Sequence, residues 1–131
     1  MTQQAPGTRL TDKIRQGELL RVDCPSRDVL KHVSSLWGVM CLIGLRDGTL
    51  RFGELRRRAS GVSEKMLAQT LKRLEEDWFV LRQSRPVVPP YVEYSLTPLG
   101  REVSDHVATL ADWIEVNLWQ VMESRRQKSV I

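Results

Sequence analysis

Apolar and polar positions change period along this chain, and the changes mark its elements. Over residues 9–21, Leu10, Ile14 and Leu20 fall roughly on one side of a helix, a pattern weakened by Gly17. Cys24-Pro25-Ser26 breaks the chain and restarts it. Ser26 suits a helix cap and Asp28 a first-turn charge, so a helix is predicted that turns Val29, Leu30, Val33 and Leu36 inward. A more apolar helix follows over residues 37–46 and ends on the turn signal Asp47-Gly48. Residues 49–51 leave room only for a small strand. Phe52, Leu55 and Ala59 mark a short helix, Ser60-Gly61-Val62 interrupts it, and Ser63 caps a longer helix that runs to about residue 77, with Glu64 in its first turn. In that helix Leu67, Leu71, Leu74 and Trp78 recur at four, three and four residues and line one face. Lys65, Gln69, Lys72 and Glu76 take the opposite side, flanked by Ala68 and Arg73.

Beyond it the period drops to two. Residues 80–85 and 91–96 both alternate, and Pro86-Val87-Val88-Pro89-Pro90 lies between them. Proline cannot donate in a ladder and pre-sets extended backbone, so two strands joined by a stiff loop are predicted. Thr97-Pro98 opens a final helix, with threonine as cap and proline at the first helical position, reaching Ser124 or beyond. Within it Val103, Val107, Leu110, Ile114, Asn117 and Val121 follow spacings of four, three, four, three and four. That is an a/d-type seam, and Asn117 is a polar interruption of the kind that fixes register. Trp113, Leu118, Trp119 and Met122 widen the apolar surface beyond the needs of a small core. Residues 1–8 read as a frayed tail.

A short helix, a tight turn, a second helix with a polar outward face and then a two-stranded ribbon make a winged helix-turn-helix. The expected class is mainly α (α+β): a tail and weak helix over residues 1–23, a winged helix-turn-helix DNA-binding domain over 24–98, and a C-terminal dimerisation helix and tail over 99–131. The length of 131 residues suits one domain with helical extensions, and 41% apolar with 27% charged residues is ordinary globular composition. Two cysteines make no disulfide scaffold, and no bulky apolar stretch follows Met1, which points to a reduced, cytoplasmic protein. The longest apolar run, residues 36–45, is ten residues and too short to cross a bilayer.

Charge adds location. Between Arg51 and Arg85 nine basic residues face five acidic ones, an excess of four that equals the net +4 of the whole chain. An electrostatic footprint for a polyanion therefore falls on the segment that holds the two short helices and the first strand. A helix fits the major groove of double-stranded DNA, where exposed side chains meet base edges and flanking cations meet phosphates. On the free face of the second helix Ser63, Lys65, Gln69, Lys72 and Arg73 are the candidate contacts; glutamine pairs bidentately with adenine, and lysine donates to guanine or phosphate. Arg56, Arg57 and Arg58 would set register on the backbone, and Arg82 and Arg85 flank a loop suited to the neighbouring minor groove. No nucleophile–base pair, no apolar carboxylate pair and no Gly-rich phosphate loop marks an enzyme. His32 and His106 lack ligand-like spacing to either cysteine, so no metal or other cofactor is expected. The alternative function is a protein-interaction module that keeps the fold without specific DNA binding.

Phe52-Gly53-Glu54-Leu55-Arg56-Arg57, Val62-Ser63-Glu64-Lys65-Met66-Leu67 and Leu71-Lys72-Arg73-Leu74-Glu75-Glu76 resemble successive motifs of the HxlR-type family. Val88-Pro89-Pro90-Tyr91-Val92-Glu93-Tyr94-Ser95-Leu96-Thr97-Pro98-Leu99-Gly100 resembles its wing and following helix start, and Cys24-Pro25 its usual beginning. The resemblance spans residues 24–113 and implies a bacterial, homodimeric winged-helix transcriptional regulator. Some members sense oxidants or electrophiles through a thiol at the Cys24 position. The resemblance thus implies Cys24 as the candidate redox sensor and an oxidant or small molecule as the candidate effector. Arg21 and Arg27 would favour its thiolate, and Asp23 and Asp28 oppose it. Cys41, inside an apolar run, reads as a core residue. The chain departs from the family pattern twice. Ser35-Leu36-Trp37 stands for Gly-Lys-Trp, and Asp77-Trp78-Phe79 stands where a small residue and glycine follow the recognition helix, removing the easy left-handed ending.

Overall fold

Three of the helices start where a small hydroxyl side chain accepts an amide that the first turn leaves free. Ser35 accepts from the Gly38 N–H at 3.1 Å, Ser63 from Met66 at 3.1 Å and Thr97 from Gly100 at 2.9 Å. The computed structural model describes residues 7–15 and 24–129. In chain order these form α1 (Leu10–Arg15), α2 (Pro25–Ser34), α3 (Leu36–Gly44), β1 (Leu50–Arg51), α4 (Phe52–Arg58), α5 (Glu64–Glu76), β2 (Val80–Arg85), β3 (Tyr91–Leu96), α6 (Pro98–Val116) and α7 (Leu118–Ser129). The N-terminal helix expected over residues 9–21 is present as α1; Leu20 and Gly17, like residues 1–6 of the tail, lie outside the described residues.

The strands make one antiparallel sheet in the order β1-β3-β2. In the long pair Val80 faces Leu96 and Arg85 faces Tyr91, so the proline loop closes the ribbon where alternation stops. The small strand that residues 49–51 leave room for is present as β1, which joins β3 with Leu50 opposite Tyr94 and Arg51 opposite Glu93. Two residues are too few to show a period. The core gathers Leu42 and Leu45 from α3, Leu55 from α4, Leu67, Leu71 and Leu74 from α5 and Val80 from β2, all fully buried. Cys41 is buried with them, as expected, and burial pushes its thiol up to about 12.

Four details correct the sequence reading. Leu30 is exposed on α2 rather than packed inward, and Leu36, 62% exposed, belongs to the first turn of α3, because the chain leaves helical conformation at Ser35. Trp78 is not a core position either. It has φ 63° and stands 58% exposed, while Phe79 is buried in its place. Its N–H donates to the Glu75 carbonyl at 3.0 Å and that of Phe79 to Leu74 at 2.9 Å, the bond pair of a Schellman ending. The helix therefore keeps the left-handed termination that the missing glycine was expected to remove, with tryptophan in a conformation that costs about 1–2 kcal/mol. Finally, the last helix is interrupted at Asn117, whose side chain turns back to donate to the Trp113 carbonyl at 2.8 Å.

The Schellman turn is bonded to the start of α6. Thr97 donates its hydroxyl to the Trp78 carbonyl at 2.6 Å and its N–H to Phe79 at 3.1 Å. Gly100 lies so close that a Cβ there would fall 1.9 Å from the Phe79 carbonyl oxygen. Gly100, Ser104 and Val107 continue one buried stripe down α6, and Arg46 at the end of α3 clasps it, donating to Ser104 at 3.0 Å and pairing with Asp105 at 2.6 Å. No helix of the described residues is long and apolar enough to cross a membrane.

Candidate nucleic-acid interface

The turn between α4 and α5 is set by Gly61, whose φ of 93° few other residues adopt, while Ala59 and Val62 on either side are buried against the core. This pins α5 with its leucines down. Its outward side carries Lys65, Gln69 and Lys72, all exposed, and no described segment covers them. Three candidate residues are partly committed to the fold. Ser63 spends its acceptor on the cap, Arg56 pairs with Glu64 across the turn at 2.9 Å, and Arg85 pairs with Glu93 across the wing at 3.2 Å. All three remain at the surface, and exposed ion pairs of this kind are worth less than about 1 kcal/mol, little enough for a phosphate to displace. Arg57 and Arg82 are exposed and unpaired among the described residues, and Arg58 reaches the Gly44 carbonyl only at 3.5 Å. Arg73 stands half-buried at the border of the outward face, in a small cleft against α2 lined also by Lys31, His32, Ser35 and Thr70.

Two residues beside this surface escaped sequence reading. Arg51, the exposed residue of β1, lays its guanidinium 3.6 Å from the centroid of the Tyr91 ring, at the loop end of the wing, a cation–π contact at the sheet edge. Lys31 joins Arg73 from α2, 42 positions away in the chain. Neither shows any periodic signal; only the pairing of β1 and the packing of α2 on α5 bring them here. Tyr94 is buried in the strand.

The expected dimer seam divides. Val107 is buried in the chain's own core and Val103 packs against that core, whereas Leu110, Ile114 and Val121 are exposed and Asn117 caps the break. Around the exposed three stand Trp113, Val116, Leu118, Trp119 and Met122, a contiguous stretch of sequence with no buried residue beyond Val107.

Cys24 is the residue before α2, with extended backbone, and the backbone N–H of Ser26 in the first turn holds its thiol below the ordinary range, helped by the Ser26 hydroxyl, the Arg27 amide and Lys13. The helix start, and not the Arg27 side chain, is the main source; Arg21 and Asp23 lie outside the described residues. His32 is part-buried, its Nδ1 2.5 Å from the Asp77 carboxylate, and His106 is exposed. Among the described residues no group of three His, Cys, Asp or Glu is arranged to hold a metal.

A helix pair with a free polar outward face, backed by a β-ribbon, defines a winged helix-turn-helix protein. The family model for the HxlR-like helix-turn-helix matches residues 32–122, and the chain belongs to that family of transcriptional regulators. It is 58% identical over 120 residues to the HTH-type transcriptional regulator YtfH of Escherichia coli (strain K12), covering 92% of this chain and 95% of that one. Among solved structures it resembles the putative transcriptional regulator ytfH from Salmonella typhimurium, with 66% identity, TM-score 0.79 and coverage of 82% of this chain and 96% of that chain. It also resembles the redox regulator HypR in its reduced form, with 36% identity, TM-score 0.68 and coverage of 77% and 99%.

Proposed function

We propose that the chain is a sequence-specific DNA-binding regulator that grips a two-fold operator as a homodimer under thiol control. The observation that carries this reading is the uncovered face of α5, where Lys65, Gln69 and Lys72 stand exposed above a leucine core. Lys65, Gln69 and Lys72 read base edges; Arg56, Arg57, Arg58 and Ser63 hold the backbone; Arg82 and Arg85 carry the wing to the minor groove. Leu110, Ile114 and Val121 with their neighbours supply the self-contact, since a monomer has no use for so many exposed apolar side chains. The two-fold axis then presents two α5 helices about one helical turn, ~34–36 Å, apart.

Selection of bound fragments from genomic DNA, followed by gel-shift titration against salt, tests the core of this reading. The expected result is tight, salt-dependent retention of a few fragments carrying inverted half-sites. Failure to retain any DNA at low salt gives the interaction-module alternative instead. The control step rests on Cys24, whose thiol is lowered at the start of α2, and on the likeness to a redox regulator. Because its folded pKa is lowered, its thiolate persists to lower pH than a free cysteine's near 8.5. Iodoacetamide should therefore label Cys24 with a midpoint below that of a free cysteine peptide measured alongside and leave Cys41 untouched at neutral pH, and Cys24→Ser should remove any oxidant effect on DNA release. An oxidant response that survives Cys24→Ser overturns the sensor assignment.

A further inference from the structure

The two flanks of α5 differ. At 100° per residue, Arg73 stands about 40° round the helix from Gln69 and Thr70 about 100° in the same sense, while Glu64 and Glu75 occupy the other flank. On the Glu64 side the neighbouring helix is α4, joined by the Arg56–Glu64 pair, and it brings Arg57 and Arg58 alongside. On the Arg73 side the neighbour is α2, and the space between holds Lys31, His32, Ser35, Thr70 and Arg73, with no carboxylate in its lining. The polar groups there are mostly spent. Thr70 donates to the Met66 carbonyl at 2.8 Å, Ser35 donates to His32 at 3.0 Å and accepts from Gly38, and the His32 ring pairs with Asp77. Lys31 and Arg73 make no hydrogen bond or ion pair among the described residues, although carboxylates stand within a turn of both, Asp28 on α2 and Glu76 and Asp77 on α5. Two cations share one cleft whose adjoining carboxylate, Asp77, is taken up by His32 rather than by either of them.

The geometry points to a phosphate site: Lys31 and Arg73 clasp a backbone phosphate of the DNA strand on the α2 side of the groove, opposite the strand held by Arg56, Arg57 and Arg58. This rests on the DNA-binding reading of α5. A helix lying in the major groove has a sugar–phosphate strand on each side, about 12 Å apart across the groove. The arginines of α4 serve one strand, and no candidate read from the sequence besides Arg73 serves the other. The His32–Asp77 pair, binding the last turn of α2 to the end of α5, keeps Lys31 in place relative to the reading helix.

The test uses the full chain and a genomic fragment that the wild type selects, with affinity measured by fluorescence anisotropy from 50 to 300 mM salt. Lys31→Gln should lower the slope of log affinity against log salt by about one unit and weaken selected and random fragments by the same factor; Lys31→Gln with Arg73→Gln should lower it by about two. Lys128→Gln, far out on α7, is the control for net charge and should leave the slope unchanged. Inorganic phosphate titrated into the free protein, followed by calorimetry, separates the sources. An unchanged slope in Lys31→Gln with millimolar phosphate binding lost in the same variant gives a free phosphate ligand and overturns the backbone assignment. An unchanged slope with no phosphate binding overturns the site. If the wild type itself selects no DNA, the DNA-binding reading has failed, and the phosphate titration alone then decides whether the cleft holds an anion.

Discussion

Helices α5 and α6 are both amphipathic in sequence, yet α5 and the far end of α6 leave opposite kinds of surface uncovered. On α5 the leucines are buried and the free side is Lys65, Gln69 and Lys72. Beyond Val107 the free side is Leu110, Trp113, Ile114, Trp119 and Met122, and α7 buries nothing. An exposed polar face costs nothing in water and is free to meet a hydrated polyanion, whereas an exposed apolar belt is stabilised only by a partner that removes it from water. The same periodicity therefore leaves two different surfaces, and the proposed function gives one to reading and the other to self-association. The joint between them is the Schellman turn of Trp78 and Phe79 against Thr97 and Gly100.

Breaking that joint should have the largest effect. Gly100→Val puts a branched side chain into the Phe79 carbonyl and should destabilise the fold by about 3 kcal/mol or more, read as a fall in the thermal midpoint. An unchanged midpoint would mean that α6 does not dock where described. Next comes the apolar belt. Ile114→Asp should weaken self-association by about 2 kcal/mol, near thirtyfold, in sedimentation equilibrium without moving the unfolding of each protomer. A protein that sediments identically before and after the change has its interface elsewhere.

Lys65→Ala and Gln69→Ala should each cost about 1–2 kcal/mol of discrimination between selected and random fragments. Arg57→Ala should weaken both alike and flatten the salt slope by about one unit. Equal behaviour of all three variants would erase the distinction between reading and holding residues. The smallest effect is at the turn itself. Trp78→Gly relieves the left-handed strain and should raise stability by up to about 1 kcal/mol, less whatever packing the indole provides. A fall in stability would show that the ring, not the backbone, governs that corner.

Much of this molecule was legible as period and punctuation. Ser63 and Thr97 were identifiable as caps because a hydroxyl stands three residues ahead of a free amide, and the wing because alternation stops at Pro86 and resumes at Tyr91. What was not legible depends on contacts remote in sequence or on backbone choices that leave no period. Leu50 and Arg51 join the sheet through β3, Trp78 sits on the leucine repeat but past the helix end, and Val107 belongs at once to the heptad spacing and to the buried stripe of Gly100 and Ser104. Periodicity says which residues share a face; it does not say which neighbour claims that face. For the same reason Lys31 and Arg51 could not be placed beside α5 and the wing, and the lowering of the Cys24 thiol comes first from a helix amide, which leaves no mark in the sequence.

The most direct measurement is the affinity of a Lys65→Ala/Gln69→Ala/Lys72→Ala variant for a fragment selected by the wild type, at one fixed salt concentration, with circular dichroism and sedimentation confirming fold and assembly. With α5 as the reading helix, selected-fragment affinity should fall at least a hundredfold, close to that for random DNA. A variant that keeps its fold and assembly and still binds the selected fragment as tightly as the wild type would contradict it.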